Sequence, residues 1–179
     1  MGLVGQEIKQ RRPFHSPGHE GMVSLLRTAD RIRRAGSRLV EPHGITDQQY
    51  NVLRILRGAR TQGLPTLEIA ERMIEQAPGI TRLLDRLEAK GLVRRKRCPQ
   101  DRRQVLCWIS APGLRVLVAL DRPVAELDDV LLRALGRQRA AQLIELLDQV
   151  RTAYQRLDPG PETPPAAKSS RAGATGVPR

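Results

Sequence analysis

Cysteine is nearly absent from this 179-residue chain: Cys98 and Cys107 are the whole complement. That excludes a disulfide-rich scaffold and any all-cysteine zinc cluster within one chain. Aromatic residues are as scarce. Phe14, Tyr50, Trp108 and Tyr154 leave little for the base stacking on which single-strand and many RNA binders depend. Uninterrupted apolar runs end after a few residues, as at Val116 to Leu120, against the roughly 20 that a bilayer span requires; no membrane partner is expected. The basic residues of the first twelve positions have no apolar stretch behind them, so no secretory signal is expected, and the expected compartment is the cytoplasm. Lysine is also rare: four Lys (Lys9, Lys90, Lys96, Lys168) stand among the 31 basic residues.

What is present is arginine, the side chain suited to bidentate phosphate and guanine contacts. The net charge is +12, which points to an anionic partner. An apolar fraction of 40% is enough for a core, and the length bounds the answer to one ordinary domain with tails. Residues 1–18 carry Gly, Pro and charge without helical periodicity and are expected to be a flexible arm. Residues 158–179, with Pro159, Pro161, Pro164, Pro165 and Pro178, are expected to be a disordered tail. The folded domain is expected over 19–157.

Within it, Met22, Leu25, Leu26, Ala29, Ile32, Leu39 and Val40 recur at helical spacing and predict a long first helix over about 20–41, ending near Pro42. Thr46 and Gln49 form a capping box that starts a second helix running to about Arg57, with Ile45 placed to staple onto Tyr50. Gly58 to Pro65 reads as a turn, and Thr66 as the cap of a short helix, Leu67 to Met73, with Leu67, Ala70 and Ile74 on one side. Pro78 and Gly91 bracket a fourth helix in which Ile80, Leu83, Leu84 and Leu87 fall on one face. The period then drops towards 2: Leu92 to Arg97 and Gln104 to Ser110 predict a β-hairpin. Ser110-Ala111-Pro112 opens a further helix to about Leu132, kinked at Pro123, and Arg137 to Leu157 forms the last.

The predicted fold class is mainly α with a minor β part: a winged helix-turn-helix over about 45–110, with dimerisation helices at 20–41 and 112–157. One helix fits the major groove of B-DNA, and a hairpin beside it reaches an adjacent groove or the backbone. The candidate DNA-binding residues on the fourth helix are Pro78, Gly79, Thr81, Arg82 and Arg86, the apolar stripe leaving these and Asp85 outside. On the hairpin they are Arg94, Arg95, Lys96, Arg97, Asp101, Arg102 and Arg103. Six bases against one acid in ten residues place +5 of the +12 on the wing.

Three stretches carry a family resemblance: Ile45-Thr46-Asp47-Gln48-Gln49-Tyr50-Asn51-Val52-Leu53, Gly79-Ile80-Thr81-Arg82-Leu83-Leu84-Asp85-Arg86-Leu87-Glu88-Ala89-Lys90-Gly91-Leu92-Val93, and Asp101-Arg102-Arg103. Through them the chain, over roughly residues 20–157, resembles the MarR family of bacterial transcription regulators. The resemblance implies a homodimer, held by the first helix and the last two, that binds a pseudo-palindromic operator in double-stranded DNA, as a repressor rather than an activator. It implies that Arg103 enters the minor groove while Asp101 orients it. It also implies release of DNA by a small phenolic or anionic effector bound between dimer core and winged domain, in a pocket for which Tyr50, Arg27 and Arg31 are the candidates.

Other chemistries have less support. His15, His19 and Glu20 suggest a metal site, but a Pro/Gly-interrupted arm offers no rigid face to hold the ligands, so no metal and no cofactor is expected. All three histidines precede the helix-turn-helix and no nucleophile motif appears, so no enzyme is expected. If Cys98 faces Gln104, Cys107 faces Arg95, which sets the two thiols three strand positions apart, about 10 Å at ~3.3 Å per residue and beyond the roughly 7 Å reach of a disulfide. Cys98 among arginines leaves a redox-responsive regulator as one alternative. A non-specific architectural nucleic-acid-binding protein is the other.

Overall fold

The computed structural model describes residues 2–59, 62–75, 79–99, 101 and 103–157. Two compact units divide the chain, the first reaching Leu131 and the second starting at Leu132. The first unit holds α1 (Leu3–Glu7), α2 (Pro17–Val40), a 3-10 turn (Glu41–His43), α3 (Asp47–Gly58), β1 (Leu64–Pro65), α4 (Thr66–Glu71), α5 (Ile80–Ala89), β2 (Val93–Arg97) and β3 (Val105–Ile109). A last helical stretch, α6, spans Ala111–Gln155.

The local signals act as their chemistry requires. The Thr46 hydroxyl accepts from the Gln49 N–H (3.3 Å), and the Gln49 side chain accepts from the Thr46 N–H (3.2 Å), which closes the capping box of α3. Ser16 caps α2 by accepting from the His19 N–H at 3.1 Å, with Pro17 in the first turn. Past α5, Gly91 takes a φ of 69°, and the Leu92 N–H closes back on the Leu87 carbonyl at 2.9 Å. In the hairpin the Cys98 N–H donates to the Gln104 carbonyl at 2.9 Å, and the register pairs Arg95 with Cys107.

Four expectations change. The supposed arm contains α1, with Val4 buried; Glu7 pairs with Arg31 (2.8 Å) and Arg27 (3.4 Å) of α2, and Glu20 accepts from the Gly2 N–H at 2.6 Å. Five residues are too few to show a period, and tertiary ion pairs supply what periodicity did not. Residues 64–65 form a strand rather than part of a turn: Leu64 pairs with Cys107 and Pro65 with Leu106, so the sheet order is β1-β3-β2. Thr66 is the first residue of α4, not its cap. Its hydroxyl donates to the Val105 carbonyl at 3.4 Å, and the buried residue of α4 is Ile69, with Leu67 and Ile74 exposed. In α6 the break expected between Leu132 and Arg137 is present, at Gly136 (φ 71°, ψ 166°), but the kink expected at Pro123 is not, since Pro123 lies inside the helix and only Gly136 has a non-helical backbone. Proline's fixed φ lies within the helical range although its ring forfeits one i→i−4 hydrogen bond, whereas a backbone of the Gly136 shape is accessible essentially only to glycine.

The core of the first unit joins Val52, Leu53 and Leu56 of α3, Ile69 of α4, Leu84 and Leu87 of α5, Cys107 of β3, and Leu117 and Leu120 of α6. Its Leu residues are fully buried or nearly so, and truncating any one to Ala costs about 2–5 kcal/mol. Arg57 at the end of α3 donates to both oxygens of Asp121 in α6 at 2.9 Å. In the second unit, Ile144, Leu146, Tyr154 and Leu157 are exposed apolar side chains, and Arg151 pairs with Asp148. The tail expected at 158–179 lies outside the described residues. Among the described residues, no helix is long and apolar enough to cross a membrane.

Candidate nucleic-acid interface

Helix α5 turns one face to the core and leaves Thr81, Arg82, Asp85 and Arg86 exposed. Its apolar residues at i, i+3, i+4 and i+7 fix that division. Gly79, with a φ of 99°, is its N-cap. Pro78 lies outside the described residues, as does Arg102.

The wing follows the period of 2. Because Arg95 pairs with the buried Cys107, both fall on the inner face of the ribbon, while Arg94 and Lys96 fall on the outer one. Arg94 stacks on the ring of its cross-strand partner Trp108, 5.0 Å from the centroid. Arg94, Lys96, Arg97 and Arg103 are exposed. Gly63 beside this ribbon has a φ of 69°, and a Cβ there would collide with the Trp108 ring.

Arg95 differs from its neighbours. Its side chain is only 20% exposed; Nε and Nη2 donate to Glu88 Oε2 at 2.8 and 2.7 Å, and Nη2 also donates to Asp85 Oδ1 at 2.6 Å. These carboxylates, Glu88 first, hold the guanidinium still more firmly protonated than usual. Counting charges along the hairpin missed this; the register it implied, which sets Arg95 on the cysteine's face, is the signal that finds it. At the wing tip, Asp101 Oδ1 accepts from the backbone N–H of Arg103 at 3.0 Å, and the Asp101 carbonyl accepts from the Gln104 N–H at 2.9 Å. The acid therefore acts on the loop backbone.

A cavity of about 540 Å³ opens in the first unit between α2, α3 and α6. Ile32, Met73, Val124 and Leu127 give it apolar walls, and Tyr50, Arg33 and Arg54 its polar groups. Arg54 donates to the Tyr50 hydroxyl at 2.9 Å. Of the residues expected here, Tyr50 lines the cavity, but Arg27 and Arg31 do not, since both turn to Glu7. Positions 29, 32, 33, 36 and 40 share the cavity face of α2, and 27 and 31 lie on another. The rings of His15 and His19 lie 4.4 Å apart, and among the described residues no group of three potential ligands is placed to hold a metal.

The comparisons with known proteins agree with this geometry. The sequence profile of the MarR family matches residues 45–105. A MarR transcription factor from Planctomyces limnophilus, of known crystal structure, is 38% identical, with 78% of this chain and 99% of that one aligned at a TM-score of 0.58. The chain belongs to the MarR family of transcriptional regulators. Among MarR proteins it is also similar to the regulator FarR of Neisseria gonorrhoeae, 27% identical over 72% of this chain and 86% of FarR. The PcaV regulator of Streptomyces coelicolor, crystallised with its natural ligand, is 28% identical, covering 78% of this chain and 94% of that one at a TM-score of 0.59. The MarR match spans the capping box of α3, all of α4 and α5, and the wing up to the start of β3.

Proposed function

We propose that this MarR-family chain is a dimeric repressor, acting in the cytoplasm, that binds a pseudo-palindromic site in double-stranded DNA and lets go when a small molecule enters the cavity. The observation that carries the reading is the surface of α5 and the wing. Thr81, Arg82 and Arg86 stand free on a helix of a size suited to the major groove, next to a ribbon whose Arg94, Lys96 and Arg97 are exposed. Arg103 at the tip is the minor-groove residue, with Asp101 shaping the loop that presents it. Exposed apolar side chains on α2 (Leu26, Ile32) and at both ends of α6 (Val118, Ile144, Leu146) supply the material of a two-fold interface.

The ligand is a small aromatic acid or phenol. Apolar walls would take its ring, and Arg54, Arg33 and the Tyr50 hydroxyl its oxygens; the ligand-bound PcaV is consistent with such a site. The test is binding of the full chain to the promoter region beside its own gene, in excess competitor DNA, with and without a hydroxybenzoate. Retention against competitor and release by the acid support the reading. Loss of all binding at modest competitor levels points to an architectural protein instead.

A further inference from the structure

Resting on the DNA-binding reading above, we infer that Arg95 is a positioning residue: through Glu88 and Asp85 it locks the first wing strand to the recognition helix, so that both present their free cations as one rigid surface. Glu88 grips Arg95 at both ends of the residue. Its Oε1 accepts from the Arg95 backbone N–H at 3.1 Å, and its Oε2 accepts from the guanidinium. The strand itself is thereby fixed, and not merely a long side chain. Asp85, three residues earlier on α5 and about half exposed, takes the remaining bond of the same Nη2. Two carboxylates on the helix that faces DNA would repel phosphate; the fork of one arginine neutralises one charge and ties both groups down, which the point charge of a lysine does less well. The adjacent Arg94 and Lys96, on the opposite face of the ribbon, are left to the DNA.

A phosphate-contact role for Arg95 makes the opposite prediction for its partner. If Arg95 reached for phosphate, Glu88→Gln would free it, remove a negative charge and tighten binding. If Arg95 braces, Glu88→Gln loosens the wing and weakens binding. The experiment uses the full chain and a labelled duplex that the wild type has recovered from a random-sequence pool, with an unrelated duplex of equal length as the non-specific control.

For Glu88→Gln and for Arg95→Ala, affinity for the selected duplex is expected to fall about tenfold, a difference of ~1.4 kcal/mol, with the control duplex changing less than about twofold. The salt slope for Arg95→Ala should stay at the wild-type value, where a lost phosphate contact would reduce it by about one per site. Arg95→Lys should fail to restore the selectivity. Thermal melting of each variant separates this from loss of fold, because a merely structural role moves the melting temperature and leaves the selected-to-control ratio alone. Tighter or unchanged binding by Glu88→Gln overturns the bracing role on its own, even if Arg95→Ala does not fold. A wild type that selects no sequence from the pool overturns the regulator reading, and this role with it.

Discussion

Replacing Asp101 by alanine deletes the acceptor of the Arg103 backbone N–H, a 3.0 Å bond that closes the wing-tip turn. Such a bond contributes about 0.5–1.5 kcal/mol net; taking about 1 kcal/mol per wing and two wings per dimer, binding to the selected duplex should weaken by about 2 kcal/mol, or close to 30-fold. Simple charge counting has the other sign, since removing an acid from a DNA-facing surface ought to strengthen attraction to a polyanion. Asp101→Asn sharpens the comparison. An amide oxygen still accepts from the Arg103 N–H and still tolerates the turn, so the Asn variant should stay within a few-fold of wild type while the Ala variant falls. Arg103→Ala, which removes the proposed minor-groove side chain, should cost ~1 to 3 kcal/mol per half-site. Fluorescence anisotropy with a labelled duplex at one fixed salt concentration reads all three. Tighter binding by Asp101→Ala would refute the backbone argument, and equal loss in Asn and Ala would show that the charge, not the turn, matters.

Other perturbations have equally definite outcomes. Affinity for the operator should drop by about 10³ to 10⁵ between 50 and 200 mM salt if roughly 6 to 10 phosphates are contacted; a flat profile in an anisotropy titration would exclude DNA as the partner. Gly63→Ala places a Cβ at a φ of 69° against the Trp108 ring and should destabilise the fold by about 1–3 kcal/mol, measured by urea denaturation followed by circular dichroism. Burial raises the Cys107 thiol above its ordinary value of 9.0, against a smaller lowering by its bond to Thr66. The unfolded chain thus loses that proton first, so the contribution of the neutral thiol is complete below about pH 9 and is lost as pH climbs towards the folded value. Cys107→Ala should flatten that decline in urea midpoints taken across the alkaline range. Arg54→Met should keep operator binding and abolish release by a hydroxybenzoate, as read by competition titration.

Much of the winged domain was legible because its signals are local. Thr46 and Gln49 sit three apart and close on each other, Gly91 sits where α5 must stop, and a six-residue loop between two alternating segments sets the ribbon register. Elements that depend on distant partners were not legible. Leu64 and Pro65 become a strand only because Leu106 and Cys107 lie beside them, and two residues have no period to read. Thr66 satisfies every rule for a cap, yet β3 offers its hydroxyl a partner, so the helix begins one residue earlier. The wing's charge was plain in the sequence, but which cations are free was not. Arg95 carries the same charge as Arg94 and has a different task, set by a face of the ribbon and by two acids on another element. The cavity shows the same limit: Tyr50 lines it, but that Arg33 and not Arg31 lies on its wall is a matter of helix rotation.

The seat of Arg94 on Trp108 makes the ribbon its own optical reporter. This indole is the only one in the chain, and a cation rests over its face 5.0 Å from the ring centre. A guanidinium that swings away to meet a phosphate leaves the ring in a different field and a different solvent. Emission from the unlabelled protein should therefore change when duplex is added, and should do so without any dye, tag or substitution. The same signal should reverse when an effector empties the groove, so that one cuvette can follow capture and release in sequence. In an Arg94→Ala chain the indole would lose the cation over its face beforehand, and the binding-dependent part of the change would shrink even where the DNA is still held.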